Sequence, residues 1–330
     1  MKADAATGNV NVLPARRLKL PVLDRRHAGR EFVWLTLEAP ADWRSLPGQF
    51  VNVLCMPDEH APAATDGRVL DGESVWPRTE GLELAQPGPI VRRPYSISRI
   101  RREGDRVRLI LLVQRRGAGS RFLQEQPVGA ALDVVGPLGT YFTPPTDERL
   151  CVLVSGGCGL APILGLADRL AALGKPCLSF FGCPTAAAMP VTFRTPPAAT
   201  RDRPEATEAI EEFAAAGIPT VLATDDGSAG FGGPVTAALE TWLGEGWNGR
   251  PPALYGCGPE PMLKALAKLA EAHDLPCQVS LERYMGCGVG VCLSCVAKRR
   301  DPASNKGWTY FLTCRDGPVV DAREMIWDET

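Results

Sequence analysis

Near the C-terminal end of this 330-residue chain stands Tyr284-Met285-Gly286-Cys287-Gly288-Val289-Gly290-Val291-Cys292-Leu293-Ser294-Cys295, and a fourth cysteine, Cys314, follows nineteen positions later. Cys-x4-Cys-x2-Cys with a distant fourth is the plant-type ligand spacing for a two-iron, two-sulfide centre. Two bridged irons need four thiolates converging from all round. A tight loop supplies three, Cys287, Cys292 and Cys295, and a later hairpin supplies Cys314. Gly286, Gly288 and Gly290 allow positive φ and close approach, so peptide N–H groups can point at the sulfurs and tune the potential. The competing reading is a structural zinc site. Zinc takes its cysteines as two short pairs, which this spacing fits poorly.

A second string, Arg92-Arg93-Pro94-Tyr95-Ser96-Ile97-Ser98, has what a flavin needs along one strand. A guanidinium pairs with a pyrophosphate oxygen, an aromatic packs on the isoalloxazine or ribityl face, and a serine hydroxyl reaches the N5 edge. Alone the string is weak, and a plain strand explains it as well. It gains from Arg115-Arg116-Gly117-Ala118-Gly119-Ser120, a glycine-rich turn feeding a short helix whose N–H groups suit a pyrophosphate. The bland alternative there is an ordinary turn with solvated arginines.

A third group suits a nicotinamide dinucleotide. Ser155-Gly156-Gly157-Cys158-Gly159-Leu160-Ala161-Pro162 follows an apolar strand, and Gly256-Cys257-Gly258-Pro259-Glu260 follows another. Glycines there let the chain turn sharply and let the ligand approach the backbone at a helix start. Cys257 would face the nicotinamide, or else is a buried small hydrophobe. Asp225 and Asp226, in Thr224-Asp225-Asp226-Gly227-Ser228, read either as partners for adenosine hydroxyls or as a plain turn. No arginine stands at Gly182-Cys183-Pro184, which favours NAD over NADP. Ser96 and Cys257 are expected to tune the hydride site. His27, His60 and His273 are scattered and receive no role.

The elements that must position these groups fall into stretches of different rhythm. Residues 1–15 are small and polar and read as a flexible tail. Over 16–146, short β-type runs without helices predict an antiparallel β-barrel, clearest at Phe32–Leu37, Gln49–Leu54, Arg106–Gln114 and Ala131–Val135. Residues 56–89, rich in Pro, Gly and acids, read as a loop inserted in it. Over 147–277 apolar strands alternate with amphipathic helices at Leu160–Leu173, Glu208–Ala216, Pro234–Leu243 and Glu260–His273. That rhythm predicts a doubly wound parallel α/β sheet. Residues 183–205 read as a solvent-exposed insertion, and 278–330 as the cluster-binding segment.

Composition excludes several classes. A net charge of −2 leaves no electrostatic footprint for nucleic acid or an anionic membrane. There is no run of eighteen apolar residues for a membrane span. Arg16-Arg17 is followed by Leu18-Lys19-Leu20-Pro21, leaving no apolar core for a secretion signal. Eleven cysteines without a short-spaced framework read as reduced thiols plus cluster ligands, as in a cytoplasmic protein.

Taken together, Arg93-Pro94-Tyr95-Ser96, Gly117-Ala118-Gly119-Ser120, the two glycine-rich turns and the four late cysteines resemble the ferredoxin reductase family. The closer resemblance is to electron-transfer subunits of NAD-dependent (class 1B) dihydroorotate dehydrogenases, and it covers about residues 16–330 apart from the two insertions. It implies FAD on the barrel, held by Arg93 to Ser96, Leu112, Val113, Gln114, Gly119 and Ser120. NAD(H) would lie on the sheet at Gly156, Gly157, Gly159, Asp225, Asp226, Cys257, Gly258 and Pro259, and a 2Fe-2S cluster on the four cysteines. The implied partner is an FMN-containing catalytic subunit, in a heterotetramer serving pyrimidine biosynthesis. Gln114 stands where the family usually has a basic residue, which leaves the phosphate to Arg115 or Arg116. Ser120 replaces the usual Thr, and Cys158 stands where a non-thiol is usual. Two alternatives remain: a reductase subunit of the same family serving a ferredoxin, glutamate synthase-like or hydrogenase partner, and a zinc-stabilised binding module without redox activity.

Overall fold

The computed structural model describes residues 14–55, 92–195, 198–245, 247 and 249–327. The expected inserted loop at 56–89, and all but the last two residues of the expected 1–15 tail, lie outside the described residues. Strands β1 (Arg16–Ala28), β2 (Phe32–Ala39), β3 (Phe50–Leu54), β4 (Arg92–Glu103), β5 (Arg106–Gln114) and β6 (Ala131–Leu138) close into a barrel in the order β1-β2-β5-β4-β3-β6. All its pairings are antiparallel. Alternation points Leu35, Leu37, Val51, Val53, Leu109 and Leu111 inward, where they are fully buried. Burying each such leucine contributes about 1.5–3 kcal/mol. Helix α1 (Ala118–Glu125) follows β5 and sinks Leu123 into the same core.

The two longest barrel strands, β1 and β4, were not among the clearest runs in the sequence. Each carries a proline, which donates nothing to a ladder and masks a strand signal. Both nevertheless hold register, with Pro21 opposite Ala131 and Pro94 opposite Asn52.

The second unit is a sheet whose parallel core comprises β7 (Leu150–Gly156), β8 (Cys177–Cys183), β11 (Thr220–Thr224), β12 (Gly230–Gly232), β13 (Pro252–Cys257) and β14 (Cys277–Ser280). Helices α2 (Leu160–Ala172), α3 (Glu211–Ala214), α4 (Val235–Gly244) and α5 (Glu260–Ala272) connect them. From β7 the chain winds one way through β8 to β11, while β13 and β14 lie on its other side. The topological switch point therefore falls between β7 and β13, where open α/β sheets bind ligands.

One expectation changes, and two further features were not expected. The helix expected over 208–216 shrinks to the four residues of α3, because Ile210 is extended and pairs with Phe193 instead. Most described residues of the 183–205 segment are exposed or half-buried, but the segment is anchored at points along its length. Met189 is buried in the main core, and short strands β9 (Ala199–Arg201) and β10 (Ala206–Thr207) join the sheet beside β12 and β11. The C-terminal segment forms a small sheet of β15 (Val296–Arg300), β16 (Trp308–Leu312) and β18 (Met325–Ile326), with α6 (Thr313–Asp316) after β16. It also lends β17 (Val319–Asp321) to the large sheet as an antiparallel edge beside β14.

Barrel and sheet meet along α2 and β4. A Cβ on Gly165 would come within 2.6 Å of the Ser98 carbonyl oxygen, so the helix backbone lies directly on the strand. Arg99 clamps the contact, its Nε and Nη2 donating to Asp168 at 2.9 and 3.1 Å.

Candidate functional site

The cysteine loop holds its sulfurs before any metal is considered. Cys287 Sγ accepts N–H groups from Val289, Val291 and Cys292 at 3.3–3.4 Å, and Cys292 Sγ accepts the Cys287 N–H at 3.3 Å. Cys295 Sγ accepts the Cys314 N–H at 3.5 Å. The thiols thus stand as two pairs, Cys287 with Cys292 and Cys295 with Cys314. Two pairs are what a binuclear centre needs, one for each iron.

Electrostatics favour thiolates on the outer pair. The Ser294 hydroxyl and N–H, then the Cys287 N–H, bring the exposed Cys292 down to about 6. Burial works against ionisation of Cys287, but the N–H groups of Cys292, Val289 and Val291 outweigh it and lower that thiol as well. The inner pair is buried, and desolvation followed by the shared hydrogen bond pushes Cys314 up to about 12. A cation would reverse that, since coordination displaces the thiol proton.

Gly288 and Gly290 take φ of 70° and 84°, as expected. Gly286 does not. It is needed for space, since a Cβ there would lie 3.1 Å from Cys292 Sγ. Leu293 takes the remaining left-handed position, at φ 60°.

The loop is tied to the barrel by one buried side chain. Asn52 Nδ2 on β3 donates to the Cys287 carbonyl at 2.6 Å, and Asn52 is the register partner of Pro94. The cluster loop therefore hangs from the strand that faces Arg93-Pro94-Tyr95-Ser96. Arg93 itself donates only to the Arg92 carbonyl, at 3.4 Å, and no carboxylate among the described residues neutralises it. A Cβ on Gly119 would lie 3.2 Å from Arg93 Cγ, so the fold brings the two expected flavin strings together. At Gly117 a Cβ would meet nothing within 4 Å, leaving open space beside the turn. An unneutralised guanidinium beside an open glycine turn fits a pyrophosphate. Ser120 shapes that turn: its Oγ accepts the N–H groups of Arg116 and Gly117 at 2.8 and 3.0 Å. Leu112 and Val113 bury their side chains in the two cores, and Gln114 reaches Glu31 at 3.2 Å. Burial raises Tyr95 above the ordinary phenol range and Cys55, its hydrogen-bond partner, to about 11.

At the switch point the loops after β7 and β13 touch. A Cβ on Gly159 would come within 2.1 Å of the Cys257 carbonyl oxygen, and one on Gly258 within 2.6 Å of Met262 Cε. Gly157, at φ 54°, faces open space. Cys257 is buried, and desolvation, then the neighbouring Cys158 and Glu282, keeps it a neutral thiol. Cys158 Sγ lies 3.9 Å from Glu282 Oε1. Asp226 is occupied by its own turn, accepting the Ser228 N–H at 3.0 Å, whereas Asp225 is exposed beside it. Replacing Gly159 by alanine is expected to lower stability by about 1–3 kcal/mol, the usual cost of overpacking. It should also raise the NADH KM, read by thermal unfolding and steady-state kinetics.

The iron-sulfur cluster binding domain of dihydroorotate dehydrogenase B, as a family, matches residues 282–326. The electron transfer subunit of dihydroorotate dehydrogenase B (NAD(+)) from Caldanaerobacter subterraneus subsp. tengcongensis is 30% identical over 314 residues, spanning 94% of this chain and 99% of that one. The chain belongs to this family of electron transfer subunits. The Geobacillus kaustophilus member is 37% identical over 259 residues, covering 74% of this chain and 88% of its own. Among solved structures, a chain of an NADH-dependent reduced ferredoxin-NADP oxidoreductase superposes with a TM-score of 0.65 at 22% identity, over 93% of this chain and 90% of that one. The ferredoxin reductase of carbazole 1,9a-dioxygenase gives 0.56 at 21%, over 81% and 68%. At such identities these two establish the ferredoxin reductase fold.

Within the electron transfer subunit fold, the residues that sequence reasoning missed are those joining its parts. Asn52 is a polar residue inside the apolar run Phe50-Val51-Asn52-Val53-Leu54, and that interruption was its one signal. Glu282 follows β14 and gave no signal beyond its place just before the cysteine loop. Cys55 sits one residue past β3 and was counted only among the reduced thiols.

Proposed function

We propose that this chain passes electrons between NAD(H) and an FMN-containing catalytic subunit that oxidises dihydroorotate, in pyrimidine biosynthesis in the cytoplasm. FAD would be held by the barrel (16–146), NAD(H) by the sheet (147–277) and a 2Fe-2S cluster by 278–330, in a heterotetramer with the catalytic subunit. The observation that carries this reading is the tie from Asn52 to Cys287, which hangs a paired-thiol loop from the strand opposite the flavin string. When bound, a nicotinamide supplies hydride, a flavin accepts it and gives electrons singly, and an iron-sulfur cluster carries them one at a time.

The chain's own residues orient and exclude. Arg93, with the Gly117–Ser120 turn, holds the flavin pyrophosphate, and Tyr95 and Ser96 line its ring. Gly156, Gly157 and Gly159 admit the dinucleotide backbone, Gly258 and Pro259 wall it from β13, and Asp225 reaches its adenosine ribose. Cys257, kept neutral, offers the nicotinamide a small polarisable wall and moves no proton. The apolar side chains around the cysteine loop are turned outward: Tyr284 is 96% exposed, Val291 77% and Leu293 61%. An apolar rim at the exit of the electron path suits docking of the catalytic subunit. No described helix is long and apolar enough to cross a membrane. All eleven cysteines are free thiols, in keeping with a reducing compartment.

Anaerobic titration with NADH tests the assignment. The isolated protein should bleach in both its flavin and its iron-sulfur absorbance. Adding the FMN subunit and orotate should then return the spectrum to its oxidised form with dihydroorotate appearing. Bleaching that orotate and the subunit leave unchanged would remove dihydroorotate dehydrogenase as the acceptor.

A further inference from the structure

Beside the α2–β4 contact lies a cleft of about 630 Å³ that takes Ile97 and Ser98 from the end of the flavin string but shares no residue with the glycine turns or the cysteine loop. Five arginines line it, Arg44, Arg99, Arg101, Arg102 and Arg169, against one carboxylate, Asp168. That carboxylate is already shared, bound by Arg99 at 2.9 Å and Arg101 at 2.6 Å. Arg44 and Arg102 are held by backbone carbonyls of Ala41 and Trp43, which satisfy hydrogen bonds without neutralising charge. Asp42, in the same loop, is taken up by Arg16. Burial, then repulsion from Arg44, draws Arg102 below the ordinary arginine range.

The floor has its own loose ends. Ser98 is fully buried there and its Oγ has no hydrogen-bond partner; Arg169 Nε is also buried without one. Unpaired buried polar atoms cost free energy, but what an oxyanion would meet in the cleft is the lining itself, five guanidiniums against one shared carboxylate. The remaining wall is apolar, from Leu46, Pro47, Ile97 and Ile100. The volume lies in the range of small-molecule sites. Distance separates it from the nucleotide turn: Asp168 lies nine residues along α2 from Gly159, about 13 Å of helix rise.

We propose that this cleft is a second anion site, taking a phosphate-bearing small molecule of nucleotide size. Its phosphates lie against Arg44, Arg101 and Arg169, and its apolar ring against Leu46 and Ile97. The walls come from both barrel and sheet, so an occupant ties the two together.

Isothermal titration of the FAD- and cluster-loaded protein with ADP, and separately with inorganic pyrophosphate, tests this in wild type and in the double variant Arg44→Ala/Arg101→Ala. Both replaced side chains reach solvent, Arg101 with 46% of its side chain exposed, and the variant should keep the wild-type NADH KM and flavin spectrum. Wild type should show a binding component that the variant weakens by roughly tenfold per guanidinium lost. ADP should bind that component more tightly than pyrophosphate. Identical isotherms in the two proteins, or no binding in either, would overturn the site. Equal affinity for ADP and pyrophosphate would overturn the nucleotide-sized occupant.

Discussion

Cys292→Ala is expected to empty the protein of iron and acid-labile sulfide while its flavin is still reduced by NADH at the wild-type rate. Cys292 makes the cleaner test because it is exposed, so its removal leaves no core cavity. Its thiol is the one most readily ionised, at about 6, with Ser294 and the Cys287 N–H stabilising the charge. Losing it leaves Cys287 without its pair, and one iron of a binuclear centre with a single protein thiolate. Removing even an outer-sphere partner commonly costs 10–100-fold, so electron delivery to a one-electron acceptor should fall by more than about 100-fold. NADH oxidation by an acceptor that takes hydride equivalents from the flavin should be unchanged. The control is Cys183→Ala, a buried thiol raised to about 12 by desolvation and remote from the loop in sequence. That variant should keep full iron and sulfide. Equal iron content in Cys292→Ala and wild type would refute the ligand assignment. Replacing Cys314 should give the same loss of iron with an added stability cost, because it is buried beside Phe50 and Leu312.

Local chemistry was legible in the chain and long-range contact was not. The ligand loop could be read because thiol spacing and glycine content lie within a dozen residues. Even there Gly286 lacks the positive φ expected of it and Leu293, for which none was expected, has one, since tight packing against Cys292 and a left-handed φ look alike in one dimension. The α/β rhythm was equally plain, and α2 and α5 begin where the hydrophobic period begins. What stayed hidden is what joins one unit to another. β17 becomes an edge of the large sheet only because Val319 and Val320 meet β14, and nothing in three residues announces that. The 183–205 segment read as an exposed insertion by composition, which did not show its anchor: Glu212 on α3, 7% exposed, accepts the Thr192 N–H at 2.9 and 3.0 Å. Asn52 and Cys287 are 235 residues apart, and their hydrogen bond exists only in the folded chain.

Asp133→Asn should lower the melting temperature at neutral pH and loosen the cluster loop, although it touches neither flavin nor sulfur. Asp133 is a buried carboxylate on β6, 3% exposed, receiving Arg17 on one side and Arg92 on the other. Arg92 in turn donates to the Asn52 carbonyl at 3.3 Å and the Asp133 carbonyl at 3.1 Å, bracing the strand whose side chain holds Cys287. Removing the charge strands Arg92, which is only 22% exposed. Losing one partner of a buried pair costs 3–5 kcal/mol, and the mostly exposed Arg17 can regain water, so about 2–3 kcal/mol is expected. That corresponds to roughly 2–4 °C in melting temperature for each kcal/mol. Burial opposes ionisation of Asp133, but the hydrogen bonds from Arg17 and Arg92 outweigh it and hold the carboxyl below its ordinary range. Its contribution is therefore complete above the unfolded carboxyl pKa of about 3.9 and fades as pH falls through the lower folded value. Melting curves of wild type and variant should be well separated at pH 7 and converge below about pH 4. Iron should also leave the variant faster on exposure to a chelator, because the Asn52 tie is no longer braced. A separation independent of pH would mean that Asp133 acts through shape rather than charge, and an unchanged chelation rate would detach the cluster loop from this chain of contacts.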